Sequence, residues 1–312
     1  MFISIRTWLF VAMTALSLSS ACKGSELQIA ATSAVASLDL KLMFAPKMSG
    51  DGQTPSWRII GIDEAHQKPW SAIGNVLIPG RIGYCSAFLI APRIILTANH
   101  CLYRTNPVKR ARRGHPSLRL VDATQMVFIA GLHDDSSLDV VGVQEVITGG
   151  WTPERDLPEQ DWMIAVLTRP VAATITPLAF VADSPLAVLA SWGNKLILAG
   201  YPGETLGFSE VLRFSFNCAV LKSQRAGVLR HDCHTEGGSS GGPIFVEHGG
   251  RRRLIGIHAG RHDGRWRDNY GIWISSFARQ LKAVIERVEG HDRYRSACST
   301  CALHPESHSR AR

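Results

Sequence analysis

Beyond its N-terminal segment the 312-residue chain has no apolar run long enough to cross a bilayer, which excludes a protein threaded repeatedly through a membrane. It has no internal repeat of fixed period, so solenoids and propellers built from tandem units are excluded as well. Strand patterns do not alternate with long helical patterns, which argues against a parallel α/β sheet. Charged residues make up only 19% against 45% apolar, a balance that excludes a disordered chain. The formal charge of +8 gathers at Lys109, Arg110, Arg112 and Arg113, and at Arg251, Arg252 and Arg253. No aromatic residues are interleaved with these clusters and no reading helix accompanies them. They read as solvated loop charge, and no nucleic-acid partner is expected.

What is present begins at the N-terminus. Arg6 precedes an apolar run from Trp8 to Leu18, followed by Ser19, Ser20 and Ala21. That layout is a secretory signal peptide over residues 1–21, so the chain is expected to be exported, secreted or periplasmic. Seven cysteines fit an oxidising compartment and leave one unpaired. Cys22 directly follows the expected cleavage point. Two processing routes are open there: lipidation of Cys22 as a membrane anchor, for which Leu18 stands one position too far, or a plain cut after Ala21.

Residues 22–58 carry little periodic pattern and include the flexible "KMSGDGQTPS", as a propeptide or linker would. From Trp57 short apolar runs alternate with turn signals, among them "AIGNVLI", "GYCSAFLI", "IILTA", "MIAVL", "KLILAG", "GGPIFVE" and "RLIGIHAG". Many short strands at this spacing predict an all-β sandwich or barrel. One helix is expected at the end, where Phe277, Leu281, Val284, Ile285 and Val288 share a face. Ser275 or Ser276 is its expected N-cap, Gly290 its stop, and the last barrel the surface it packs across. The tail, 291–312, holds Cys298 and Cys301 with His304 and His308. In an exported chain this C-x-x-C reads as a small local disulfide before a zinc site.

Three short stretches carry chemistry. "IILTANHC" puts His100 after an apolar strand, "EQDWMIAVL" puts Asp161 at the head of another, and "HTEGGSSGGPIF" supplies Ser240 among glycines. Each is weak alone. Their order, His then Asp then Ser, is one of the orders in which serine hydrolases assemble a base, its orienting carboxylate and a nucleophile. "GGSSGG" could be a plain linker, but an apolar strand follows it immediately.

On these residues the chain resembles the chymotrypsin/trypsin-like serine proteases. "LTANHC" is similar to that family's Leu-Thr-Ala-Ala-His-Cys box and "GSSGGP" to its Gly-Asp-Ser-Gly-Gly-Pro box. The resemblance covers residues 59–290. It implies two packed six-stranded antiparallel β-barrels, with His100 and Asp161 in the first and Ser240 in the second. It implies Ser240 as nucleophile, His100 as general base and Asp161 as the group that orients it. The N–H groups of Gly238 and Ser240 would form the oxyanion hole. Cys85 and Cys101, flanking the histidine, would pair, and Cys218 with Cys233 would match a bridge of some bacterial members. The expected substrate is a protein or peptide, and no cofactor or metal is expected.

Ser239 departs from the family box, which has aspartate there to pair with a newly freed N-terminal amine. "WRIIGIDEA" still resembles an activation junction, with Arg58 before Ile59. This combination, with "TEGGSSGGP", "IGIHAG" and "NYGIWI", resembles the bacterial V8-like glutamyl endopeptidases. That branch implies Thr235 and His258 as the residues holding a substrate carboxylate, and hence a preference for Glu or Asp before the cut. A small or apolar preference is the competing expectation, with His258 a satisfied core histidine and Thr235 an ordinary strand residue. A different class also stays open: an inactive protease-fold protein that binds a partner through its basic loops. Loss of a triad residue would mark it, and all three are present. The sequence leaves the oligomeric state open.

Overall fold

The computed structural model describes residues 56–78, 85–105, 118–203, 210–261 and 268–301. The signal segment 1–21, Cys22, the stretch to residue 55, the cluster Lys109 to Arg113, and His304 and His308 lie outside the described residues. So do the side chains of Cys298 and Cys301.

The chain enters through β1 (Ser56–Ile59) and a short helix α1 (Ile62–Ala65). The first barrel follows: β2 (Ile73–Leu77), β3 (Cys85–Ala91) and β4 (Ile94–Thr97), an excursion through the small pair β5 (Tyr103–Thr105) and β6 (Leu118–Leu120), then β7 (Val127–Ala130), β8 (Asp139–Thr148) and β9 (Met163–Leu167). These close in the order β2-β3-β4-β9-β8-β7, all antiparallel. In β3, β4 and β9 every residue is buried, so these strands read as mainly apolar runs rich in Ile, Val, Leu and Ala.

Helix α2 (Pro185–Trp192) leads to β10 (Lys195–Gly200), β11 (Arg213–Leu221), β12 (Val228–His231), β13 (Pro243–His248), β14 (Arg251–Arg261) and β15 (Asn269–Trp273). These six strands run β11-β10-β13-β14-β15-β12 and close through the β11–β12 pairing. The fold is therefore the expected pair of six-stranded antiparallel barrels. β1 pairs with β11, Ile59 opposite Arg213, and so belongs to the second barrel. Between the barrels Trp70 stacks on Phe214 at 5.2 Å and meets Phe245 edge-on. The buried Tyr201 hydroxyl donates to the carbonyl of Leu132 across the same junction. Two disulfides, Cys85–Cys101 and Cys218–Cys233, tie one barrel each.

The expected C-terminal helix is there, but three of its particulars differ. Helix α3 spans Ala278–Cys301 and runs through Gly290, which does not take the left-handed backbone that ends a helix. Neither Ser275 nor Ser276 caps it. A short 3₁₀ turn over Ile274–Ser276 precedes Phe277, and the Ser276 hydroxyl donates backward to the carbonyl of Trp273. Finally, α3 docks on the first barrel and not the last. Phe277 stacks on Trp162 at 4.5 Å, and Arg287 pairs with Glu145 of β8. Periodicity identifies the apolar face of a helix; it does not identify what covers that face. Helix α2 had no clear signal beforehand: Leu186 on it is 81% exposed, and only Val188 is buried. Its start is conventional in hindsight, with Ser184 accepting from the Ala187 N–H and Pro185 at the first position.

Candidate active site

β4 ends at Thr97, and a 3₁₀ turn over Asn99–Leu102 carries His100 out of the barrel. Asn99 donates to the carbonyl of Trp151 and so pins that turn. Asp161 ends another 3₁₀ turn, directly before β9. It reaches His100 at two points. One carboxylate oxygen accepts the His100 backbone N–H at 2.8 Å, and the other lies 2.7 Å from His100 Nδ1. Asp161 is fully buried, and the His100 side chain is 22% exposed. The Asp161 oxygen beside Nδ1 places the imidazole proton there and leaves Nε2 as the acceptor. Trp151 meets the His100 ring edge-on at 5.9 Å, a wall that sequence reading did not identify.

Ser240 sits in the turn before β13. This turn is fastened to the first barrel through one residue, Ser86 of β3. The Ser86 N–H donates to the carbonyl of Ser240 at 2.7 Å, and its hydroxyl donates to the carbonyl of Gly238 and accepts from the N–H of Tyr201, both at 2.8 Å. Thr97, three residues before His100, donates to the carbonyl of Ser86 at 2.7 Å. The histidine turn and the serine turn are thereby tied to the same point. Gly238 has φ +95°, and a Cβ there would lie 2.4 Å from the carbonyl oxygen of Tyr201. At Gly241, φ +84°, a Cβ would lie 2.0 Å from the Ser86 carbonyl oxygen. Both positions admit only glycine. Among the described residues no backbone acceptor takes the N–H of Gly238 or of Ser240. The Ser240 hydroxyl donates to the carbonyl of Ala259 at 3.3 Å.

Beside this turn Ser239 is buried, and its hydroxyl accepts the N–H of Glu236 at 3.3 Å. A small cleft opens here, lined among others by Arg213, His234 and Glu236. Glu236 lies 3.8 Å from Arg213 and 3.5 Å from His234. The bond to His234, with the charges of Arg213, His234 and Arg261, holds the Glu236 carboxyl below its usual range against the opposing effect of burial. An internal ion pair thus stands beside the residue where the family box has an aspartate.

Thr235 and His258 are both buried, and the His258 backbone bonds Gly241 and Gly242 next to Ser240. The Thr235 hydroxyl donates to Asn269, whose amide donates in turn to the carbonyl of Cys233. His258 belongs to a buried histidine pair that was not anticipated. The Cys233 N–H donates to His231 Nδ1, which leaves the proton of His231 on Nε2, 3.2 Å from His258 Nδ1. His258 therefore carries its own proton on Nε2. Burial pushes His231 down to about 3 and holds His258 well below the usual range, where the charges of His231, His100 and Arg261 add to the effect. Both rings are neutral at pH 7.

Cys85, His100 and Cys101 place ligand-type atoms within 4.8 Å of one another. The two sulfurs are joined to each other and are not thiolate ligands. Among the described residues no helix is long and apolar enough to cross a membrane.

The sequence model of the family described as Trypsin matches residues 59–284. A glutamyl endopeptidase of Bacillus licheniformis is 24% identical over 190 residues, which is 60% of this chain; the chain spans about half, 52%, of that relative's length. Among solved structures, a Glu endopeptidase in complex with MPD superposes with a TM-score of 0.57 at 17% identity, covering 75% of this chain and 98% of that one. A thermostable serine protease from an extremophilic microorganism superposes at 0.50 and 22% identity, covering 67% and 94%. At such identities the two structural matches speak for the paired-barrel fold.

Proposed function

From a chain that belongs to the trypsin family of serine proteases, we propose an exported endopeptidase that cuts peptide bonds through Ser240, His100 and Asp161 and favours an acidic residue before the cut. The observation that carries the chemistry is the two-point contact of Asp161 with His100, beside a serine turn tied to the same strand. His100 Nε2 takes the Ser240 proton as the oxygen bonds to the scissile carbonyl carbon. The carbonyl oxygen becomes an oxyanion facing the N–H groups of Gly238 and Ser240, each worth ~3 kcal/mol in such a site. The C–N bond then breaks, and His100 gives the proton to the leaving amine. Water, deprotonated by the same histidine, releases the acid and restores Ser240. For the first step the Ser240 hydroxyl must turn from Ala259 to His100, an adjustment common in sites without substrate.

The acidic preference is supported by the similarity to glutamyl endopeptidases and by the presence of Thr235 and His258, the residues that the resemblance assigns to the pocket. The protease domain would be residues 59–290, made with the export signal 1–21 and matured near Ile59. Arg58 is half exposed on an edge strand, where a processing enzyme could reach it.

The test compares the parent with Ser240→Ala and Ser239→Ala for peptide hydrolysis and for labelling by a serine-directed fluorophosphonate. Ser240→Ala should lose the label and several orders of magnitude in rate. Ser239→Ala should keep the label and lose no more than about tenfold. A Ser240→Ala protein that cuts as fast as the parent would overturn the mechanism, and a folded parent that takes no label would point to a binding protein.

A further inference from the structure

We infer that Arg261 is the residue that supplies the positive charge for an acidic side chain in the substrate pocket, with Thr235 and His258 shaping its surroundings. This rests on the acidic preference proposed above and names the group responsible for it.

Arg261 is the last residue of β14, three after His258. In a regular strand, residues three apart point to opposite faces. Here the β14–β15 register shifts between His258 and Gly260: His258 pairs with Gly271 and Gly260 with Tyr270, so Ala259 is an extra residue. A bulge of this kind re-aims the side chains beyond it. It turns Arg261 to the His258 side, where its guanidinium donates to the backbone carbonyl of Thr235. Ala259, the bulged residue, is also the one whose carbonyl accepts from Ser240. The same irregularity thus serves the nucleophile and aims the arginine.

Of the two residues expected to hold the carboxylate, Thr235 has its hydroxyl proton engaged inside the protein, donated to Asn269, and His258 is bonded to His231 through Nδ1. His258 is neutral, so it brings no charge. A guanidinium carries five N–H donors in a planar fork suited to a carboxylate, and its charge is permanent. Among the described residues, Arg213 of β11 pairs with Glu236 and Arg230 of β12 pairs with Asp268. The field of Arg261 is felt by both Glu236 and His258, which places it among them.

The test measures kcat/KM on paired peptides that differ only in Glu or Gln before the cut, from about pH 5.5 to 8.5, for the parent, Arg261→Gln and Arg261→Lys. Fluorophosphonate labelling rate is the control for an intact active site. The parent should prefer Glu by roughly ten- to a hundredfold, with a ratio that does not change across this range. Arg261→Gln should lose most of that ratio through slower cleavage of the Glu peptide, with the Gln peptide and the labelling rate little changed. Arg261→Lys should recover part of it. If Arg261→Gln keeps the ratio, or the parent ratio falls with rising pH as a histidine titrates, the charge lies elsewhere and the inference fails while the acidic preference stands. A rise in turnover of every peptide in Arg261→Gln would show that the side chain merely fills the pocket, and would also overturn it. A parent indifferent to Glu and Gln would overturn the acidic preference itself, and the inference with it.

Discussion

The buried pair His231–His258 makes the stability of this protein sensitive to mild acid. His231 has no exposed surface, and burial lowers its value from 6.5 to about 3. The folded state therefore prefers the neutral ring, whereas the unfolded chain takes up a proton below 6.5. Stability contributed by this group is complete above the unfolded value and is lost as the pH falls toward the folded one. From these two values the loss is about 2 kcal/mol near pH 5 and about 3 kcal/mol near pH 4. His258 is shifted in the same direction for the same reason and adds to the slope. Asp139, bonded by Arg169, and Glu236, bonded by His234, also lose stabilisation in acid. They do so mainly below about pH 5, where unfolded carboxylates take up a growing share of their protons. The interval between about pH 6.5 and 5 thus isolates the histidines. Urea unfolding of the Ser240→Ala protein, which cannot digest itself, should show stability falling there by at least ~1 kcal/mol per pH unit. His231→Gln keeps a donor for His258 and removes one titrating group, so it should reduce the slope by about one proton. A parent whose stability is flat across this interval, or a His231→Gln variant with an unchanged slope, would refute the assignment.

Ser86→Ala removes the hydroxyl that bridges Gly238 and Tyr201, leaving a buried N–H and a carbonyl each with one partner fewer. We expect a stability loss of about 1–3 kcal/mol in denaturant titration, together with a fall in kcat larger than any change in KM, because the serine turn loses its anchor. Extending the mature protein by one residue before Ile59 should lower kcat/KM only modestly, since Ser239 has no charge for a new amine and Glu236 already has Arg213 beside it. Complete loss of activity in the extended form would show that the free amine is required.

His100, Asp161 and Ser240 could be located in the sequence because each lies in a contiguous stretch whose residues are nearly all constrained. "GGSSGG" contains three glycines, Gly238, Gly241 and Gly242, at which the surrounding backbone leaves no room for a Cβ. The first barrel was equally plain, since β3, β4 and β9 are mostly apolar and buried throughout. The direction of Arg261 was not legible, because it depends on a bulge at Ala259 that arises from how β14 meets β15. His231 was hidden for a related reason: β12 has four residues, too few for a periodic pattern, and the ring matters only because His258 lies across the barrel from it. Ser86 and Thr97 looked like ordinary strand residues, and their hydroxyls acquire a role only when the second barrel arrives. The docking of α3 on the first barrel is of the same kind, settled by Trp162 and Glu145 on distant segments.

The two ends of the described chain are exchanged between the barrels. β1, which precedes the first barrel, is completed by β11 of the second, and α3, which follows the second, covers the first. Each barrel closes with its own six strands, but each takes a covering element from the other end of the chain. During synthesis at about 5–20 residues per second, β1 waits on the order of ten seconds for its partner strand, and the first barrel waits for its covering helix. These covering contacts are long-range, which slows the last stage of folding. The same exchange means that a single cut in the connection between the barrels would leave each half still gripping the other.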